Sequence, residues 1–185
     1  WQIPRTVKVN LNGKMRPGVT GKDVIITLCG LYAQGEVLNA VIEFGGSGVM
    51  GLSMEERLTV ANMTTEWGAL AGWFPVDEIT IAHMKERQQW LKDHGNTDRI
   101  TDEKIADWTN NPPQSDDGAW FAAEINLDLA SVTPHICGPH SVQLTASLDE
   151  FSKKKMAIHK AYLVSCTNSR LGDLEAAAAV VQGGK

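Results

Sequence analysis

The opening third of the chain limits the fold most strongly, because it alternates the two periods of regular structure. Thr6-Val7-Lys8-Val9-Asn10-Leu11 alternates polar and apolar residues, the period of a half-buried strand, and Asn12-Gly13 follows as a turn signal. Thr20-Gly21-Lys22-Asp23 then opens a helix. Thr20 is its cap, Asp23 stands three residues on, and Val24, Ile25, Leu28 and Leu31 lead into its apolar face. Val41-Ile42-Glu43-Phe44 reads as the next strand. Ser53-Met54-Glu55-Glu56 is a full capping box and predicts a helix from there to about Ala69, with Met54, Leu58, Ala61 and Thr65 on a face suited to close packing on a sheet. Strand and helix in alternation predict an α/β fold.

Phe74-Pro75-Val76-Asp77 breaks this run, Glu78 to Trp90 reads as helix, and Thr101-Asp102-Glu103 starts a shorter one. Thr109 to Gly118, with Asn110-Asn111-Pro112-Pro113 and Ser115-Asp116-Asp117-Gly118, is a surface loop. Ala119 to Leu129 resumes an extended apolar pattern, and the turn formers of Pro134 to Pro139 mark a domain boundary. Beyond it, Leu148 to Met156 reads as helix, Lys160-Ala161-Tyr162-Leu163-Val164 as a strand, and Leu171, Leu174, Ala178 and Val181 as a helix stopped by Gly183-Gly184. The expected division is residues 1–134 as one α/β domain and residues 135–185 as the opening elements of a second.

The 185 residues, 43% apolar, can bury a substantial core. A net charge of −5 and a pI near 5.5 disfavour a nucleic-acid partner or an anionic membrane surface. Lys153-Lys154-Lys155 reads as a solvated face. The three cysteines, at 29, 137 and 166, do not form a secreted disulfide framework, and a reducing compartment fits them better. No apolar run reaches the roughly twenty residues needed to cross a bilayer. No signal-peptide pattern opens the chain, and with Trp1 in first place and an Ala-rich helix ending on Gly-Gly-Lys it reads as a piece of a longer polypeptide.

Ser165-Cys166-Thr167-Asn168-Ser169-Arg170 places one cysteine where the expected strand hands over to the last helix. Backbone N–H groups and the helix dipole at such an address favour the thiolate, the form that binds iron or zinc. The blander readings are an apolar filler, or a cap supplied by Thr167, Asn168 or Ser169. The clustered hydroxyl and amide groups exceed what a cap needs. Cys29, inside an apolar helical pattern, is assigned to packing. His135-Ile136-Cys137-Gly138-Pro139-His140 lacks a fourth zinc ligand at matching spacing and reads as a loop with incidental histidines. Gly45-Gly46-Ser47-Gly48 has neither P-loop nor dinucleotide-binding spacing, so it reads as a turn of close backbone approach. Asn62 and Glu66, four residues apart, share a helix face with Glu55 and Thr59. On physical grounds that face is as well explained by solvation as by a site.

Two of these stretches together carry a resemblance. Ser165-Cys166-Thr167-Asn168-Ser169, and the run Ser53-Met54-Glu55 … Asn62-Met63 … Glu66-Trp67-Gly68-Ala69, are similar in kind and order to the aconitase superfamily. The resemblance covers essentially the whole chain. In finer detail, including Trp1-Gln2-Ile3-Pro4-Arg5-Thr6 and Thr65 to Pro75, it is nearest to a fungal branch that interconverts homoaconitate and homoisocitrate on the α-aminoadipate route to lysine. It implies a three-layer domain followed by the start of a second α/β domain, and a parent hydro-lyase using a [4Fe–4S] cluster, with Cys166 one of three cluster ligands. It also implies Glu66 as a catalytic residue in the network around the iron-bound hydroxyl, and Asn62, Asn168 and Ser169 as substrate-binding residues. The other two ligands, a C-x-x-C pair, are expected beyond Lys185; the catalytic base and the substrate arginines are expected outside the chain. The implied partners are a small tricarboxylic acid and the remaining domains of the parent, and the implied location is the mitochondrial matrix, with the cytoplasm as the alternative. The fragment alone is then inactive and without cluster. Two alternatives stay open: the large subunit of isopropylmalate isomerase, and a non-catalytic binding module of the same fold.

Overall fold

A computed structural model of the chain describes residues 2–164 and 167–183. At its centre β1 (Thr6–Asn12), β2 (Val41–Gly45), β3 (Ala71–Trp73) and β4 (Ala123–Asp128) form a parallel sheet in the order β3-β2-β1-β4. The register sets Val7 beside Ile42 and Ala123, and Val9 beside Phe44 and Ile125. Because side chains alternate along a strand, Val7, Val9, Leu11, Ile42, Phe44, Ile125 and Leu127 all bury on one face.

That face is packed by the crossover helices. α1 (Gly21–Leu31) joins β1 to β2, and α2 (Met54–Asn62) with α3 (Thr64–Trp67) joins β2 to β3. Successive right-handed crossovers in one direction put these helices on the same side of the sheet. Val24, Ile25, Leu28, Cys29, Val60, Met63 and Trp67 meet the strands there in one core cluster. The buried Trp67 indole donates to Tyr32 O at 2.9 Å, so its polar edge is satisfied. Gly46 has φ 96°, and a Cβ there would overlap the Leu11 backbone; the turn after β2 therefore needs glycine.

The return from β3 to β4 runs through α4 (Glu78–Asp93) and α5 (Asp102–Asn110). Their buried Ile81, Leu91 and Ile105 lie outside the main cluster, and Gln88 ties the pair by donating to Ile100 O (3.2 Å) and Asp102 Oδ1 (2.8 Å). The second face of the sheet is polar. Lys8, Asn10 and Glu43 are half-buried there, while Glu124 and Asn126 are exposed. The apolar packing of the fold thus sits on one side of the sheet, and the other side holds polar contacts such as Asn10 to Asn126 and Ser115 to Glu43.

Two expectations are revised, and two elements were not foreseen. The helix expected to run to Ala69 breaks at Met63, where Thr64 Oγ1 donates to Ala61 O (2.7 Å) and Thr65 Oγ1 to Asn62 O (3.0 Å), hydroxyls taking carbonyls that a continuing helix would use. β3 was too short and glycine-containing to show a period. The segment from Pro134 forms an antiparallel hairpin, β5 (His135–Cys137) with β6 (Thr145–Ser147), ahead of a short α6 (Leu148–Ser152). Lys160–Val164 forms no strand. A strand exists through its ladder, and none among the described residues pairs with this segment, which leaves Tyr162 76% and Val164 65% exposed. The last helix, α7 (Leu171–Val181), forms as expected but has no buried residue.

The hairpin packs on α1. Asp23 accepts from the His135 N–H at 2.9 Å, Thr145 lies against Gly30, and Cys137 and Val142 touch the core cluster.

Candidate functional site

Of the residues singled out for chemistry, Cys166 lies outside the described residues; its neighbours in the chain do not. Thr167, 4% exposed, sits against the exposed-to-buried flank of α2, and Thr59, 3% exposed, donates to Thr167 O at 3.2 Å. Arg170 reaches the same spot, its Nη1 donating to Thr167 O (2.8 Å), Thr59 Oγ1 (3.2 Å) and Glu55 O (3.4 Å). Gly172 approaches the Glu55 side chain so closely that a Cβ would collide with it. Over a hundred residues of chain are closed here by a few polar bonds.

The turn is also fixed from below. Asp173, in the first turn of α7, accepts from the Arg170 N–H (3.1 Å) and from Asn168 Nδ2 (3.2 Å). Asn168 is half-buried and Ser169 exposed.

On the helical side, Asn62 ends α2 and Glu66 lies in α3, both exposed. The break at Met63 puts them on separate helices instead of one continuous face. Glu66 Oε2 lies 2.8 Å from Thr65 Oγ1, whose single proton is shared between this oxygen and Asn62 O. The contact between the two polar segments runs through Thr59, noted in sequence only as part of a polar face, and Arg170, which spacing did not reveal as a bridge. An arginine directly after a Ser/Thr/Asn-rich turn is the single hint it offered.

Cluster chemistry makes definite demands on donors. Cys29 is fully buried, and burial, with Cys137 and Glu66 adding in the same sense, pushes its thiol up to about 12. Burial also raises Cys137. Both stay protonated near neutral pH, unlike a ligand thiolate. Among the described residues no three His, Cys, Asp or Glu side chains gather as a metal site, and Nδ1 of the His135 ring contacts Thr133 O. The residues present therefore fit one corner of a [4Fe–4S] site, a pinned polar turn next to a single cysteine, and not a whole one.

Among the described residues no helix is long and apolar enough to cross a membrane.

The sequence matches the aconitase family (aconitate hydratase) over residues 1–185. It is 46% identical over 196 residues to a protein of Mycosarcoma maydis named mitochondrial homoaconitase, and 48% identical to the proteins of that name in Debaryomyces hansenii (186 residues) and Candida albicans (188 residues). Each comparison covers 100% of this chain and 27% of the relative, so the chain spans about a quarter of their length. A family match over the whole chain settles the family: the chain belongs to the aconitase family.

Proposed function

We propose that this chain is part of a [4Fe–4S]-dependent hydro-lyase that interconverts homoaconitate and homoisocitrate, in the mitochondrion, in lysine biosynthesis. The observation that carries the reading is the docking of Thr167 onto Thr59, which sets the turn next to Cys166 beside the helix that leads to Asn62 and Glu66. The names of the fungal relatives support the substrate and the location.

In this reading Cys166 is one of three cluster ligands, and the others come from elsewhere in the parent. When bound, the cluster supplies an iron that acts as a Lewis acid. The chain's own part is to bind and orient. The Glu66 carboxylate accepts a hydrogen bond from the substrate hydroxyl or a water, and the Asn62 and Asn168 amides and the Ser169 hydroxyl donate to substrate carboxylates. The substrate is a small tricarboxylic acid, and the remaining domains of the parent close the site. We further propose that the chain comprises one domain over residues 1–134 and the opening of another over residues 135–185.

The test uses the purified full-length parent. Hydration of homoaconitate is expected, falling at least 100-fold in Cys166→Ser, and the isolated 185-residue chain is expected to be inactive and iron-free. Turnover of isopropylmalate in place of homoaconitate overturns the substrate assignment. A parent that neither binds iron nor turns over either acid overturns the enzyme reading.

A further inference from the structure

The guanidinium of Arg170 is spent on neutral oxygens. Its Nη1 points at Thr167 O, Thr59 Oγ1 and Glu55 O, and among the described residues no carboxylate lies within ion-pair distance of it. Capping α7 does not require this, since Asp173 already takes the Arg170 N–H. Nor is there an apolar core under α7 for the arginine to secure. What the contacts do accomplish is local. Thr167 O receives two donors, a charged one at 2.8 Å from Arg170 and a hydroxyl at 3.2 Å from Thr59, and Arg170 itself bonds Thr59 and Glu55, so the residue bonded directly to Cys166 is tied to α2 directly and through Arg170.

We propose that Arg170 and Thr59 are positioning residues for the cluster ligand Cys166, locking the turn that follows the ligand onto α2. The proposal rests on the reading of Cys166 as a ligand. A ligand held by its neighbours before metal arrives loses less freedom on binding. Arg170 acts as a fork, one nitrogen shared between a carbonyl and a hydroxyl on the other segment. Lysine keeps the charge without that geometry.

The experiment compares wild type, Arg170→Met, Arg170→Lys, Thr59→Val and Cys166→Ser in the full-length parent reconstituted with iron and sulfide. It measures iron per chain, the cluster's electron paramagnetic resonance signal, and the rate of iron loss to a chelator, alongside the melting temperature of each iron-free protein. Arg170→Met and Thr59→Val are expected to lose iron about tenfold or more faster, with Arg170→Lys between them and wild type and iron-free melting temperatures unchanged. Wild-type rates of iron loss in both variants overturn the proposal, as does faster loss matched by a lowered iron-free melting temperature, which is the mark of a merely structural contact. If Arg170→Met fails to fold, Thr59→Val and Arg170→Lys carry the same comparison. The underlying reading fails separately: Cys166→Ser retaining wild-type iron overturns both, whereas Cys166→Ser losing iron while the other variants match wild type overturns only the role of Arg170 and Thr59.

Discussion

Arg57 is 1% exposed, and a buried guanidinium is tolerated only when its charge and its donors are met. Asp77 meets the charge and two of the donors, with Oδ1 at 2.7 Å from Nη1 and Oδ2 at 2.8 Å from Nη2, while Nη2 also donates to Val49 O at 2.9 Å and Nε is buried without a partner among the described residues. The same carboxylate caps α4 through the Ile79 and Thr80 N–H groups, so the Arg57–Asp77 pair joins α2, α4 and the turn after β2. Burial works against the charge of Asp77, but the Arg57 hydrogen bonds and the two backbone N–H groups outweigh it and hold the carboxyl below its ordinary value of 3.8. Asp77→Ala leaves the arginine buried and unpaired and is expected to cost about 3–5 kcal/mol in urea unfolding. The sign with pH follows from the lowered value. The stabilisation is fully present above the ordinary pKa and is lost as pH falls through the folded one. The difference in melting temperature between wild type and Asp77→Asn is therefore expected to shrink as pH drops below 3.8; a gap that stays constant in acid rules out ionisation of Asp77 as its source.

Among the elements, α1 shows how a local signal acquires a long-range use. The Thr20-x-x-Asp23 spacing predicts a cap, and Asp23 Oδ2 duly accepts from Thr20 N (2.9 Å) and Thr20 Oγ1 (3.1 Å). Its other oxygen takes the His135 N–H, which no local pattern announces, because the partner lies 112 residues away. Asp23→Ala is expected to cost about 1–2 kcal/mol, the scale of a lost cap. It is also expected to speed hydrogen exchange at the His135 amide, while exchange in β1 and β2 stays slow. Unaltered exchange at His135 means that the hairpin docks without this bond. α2 was legible to its first turn because Ser53 and Glu56 satisfy each other's backbone, whereas its end at Met63 depended on threonine hydroxyls choosing carbonyls, a competition that spacing does not resolve.

For the whole molecule, exposure changes at about Lys153, later than the turn formers at Pro134. The hairpin before that point lies on α1, while Met156, Ile158, Tyr162 and Val164 are exposed and without a ladder, and α7 is held through Arg170, Thr59 and Gly172. Limited proteolysis is expected to cut first within residues 153–164 and leave residues 1–152 intact, because the hairpin is docked on α1; a first cut at 131–134 means that the hairpin does not stay docked. The amino-acid sequence alone determined the α/β class, the strands β1 and β2, and the caps of α1 and α2, because each depends on residues within one turn or one strand of each other. It also marked the Ser-Cys-Thr-Asn-Ser turn, whose chemistry is written in residue type. Strand order, the one-sided core, the docking of the hairpin and the clamp of Thr59 and Arg170 on Thr167 were decided only by the tertiary structure. These contacts join residues far apart in the chain, and their partners are selected by packing geometry and by buried polar groups that must be satisfied, neither of which leaves a periodic trace.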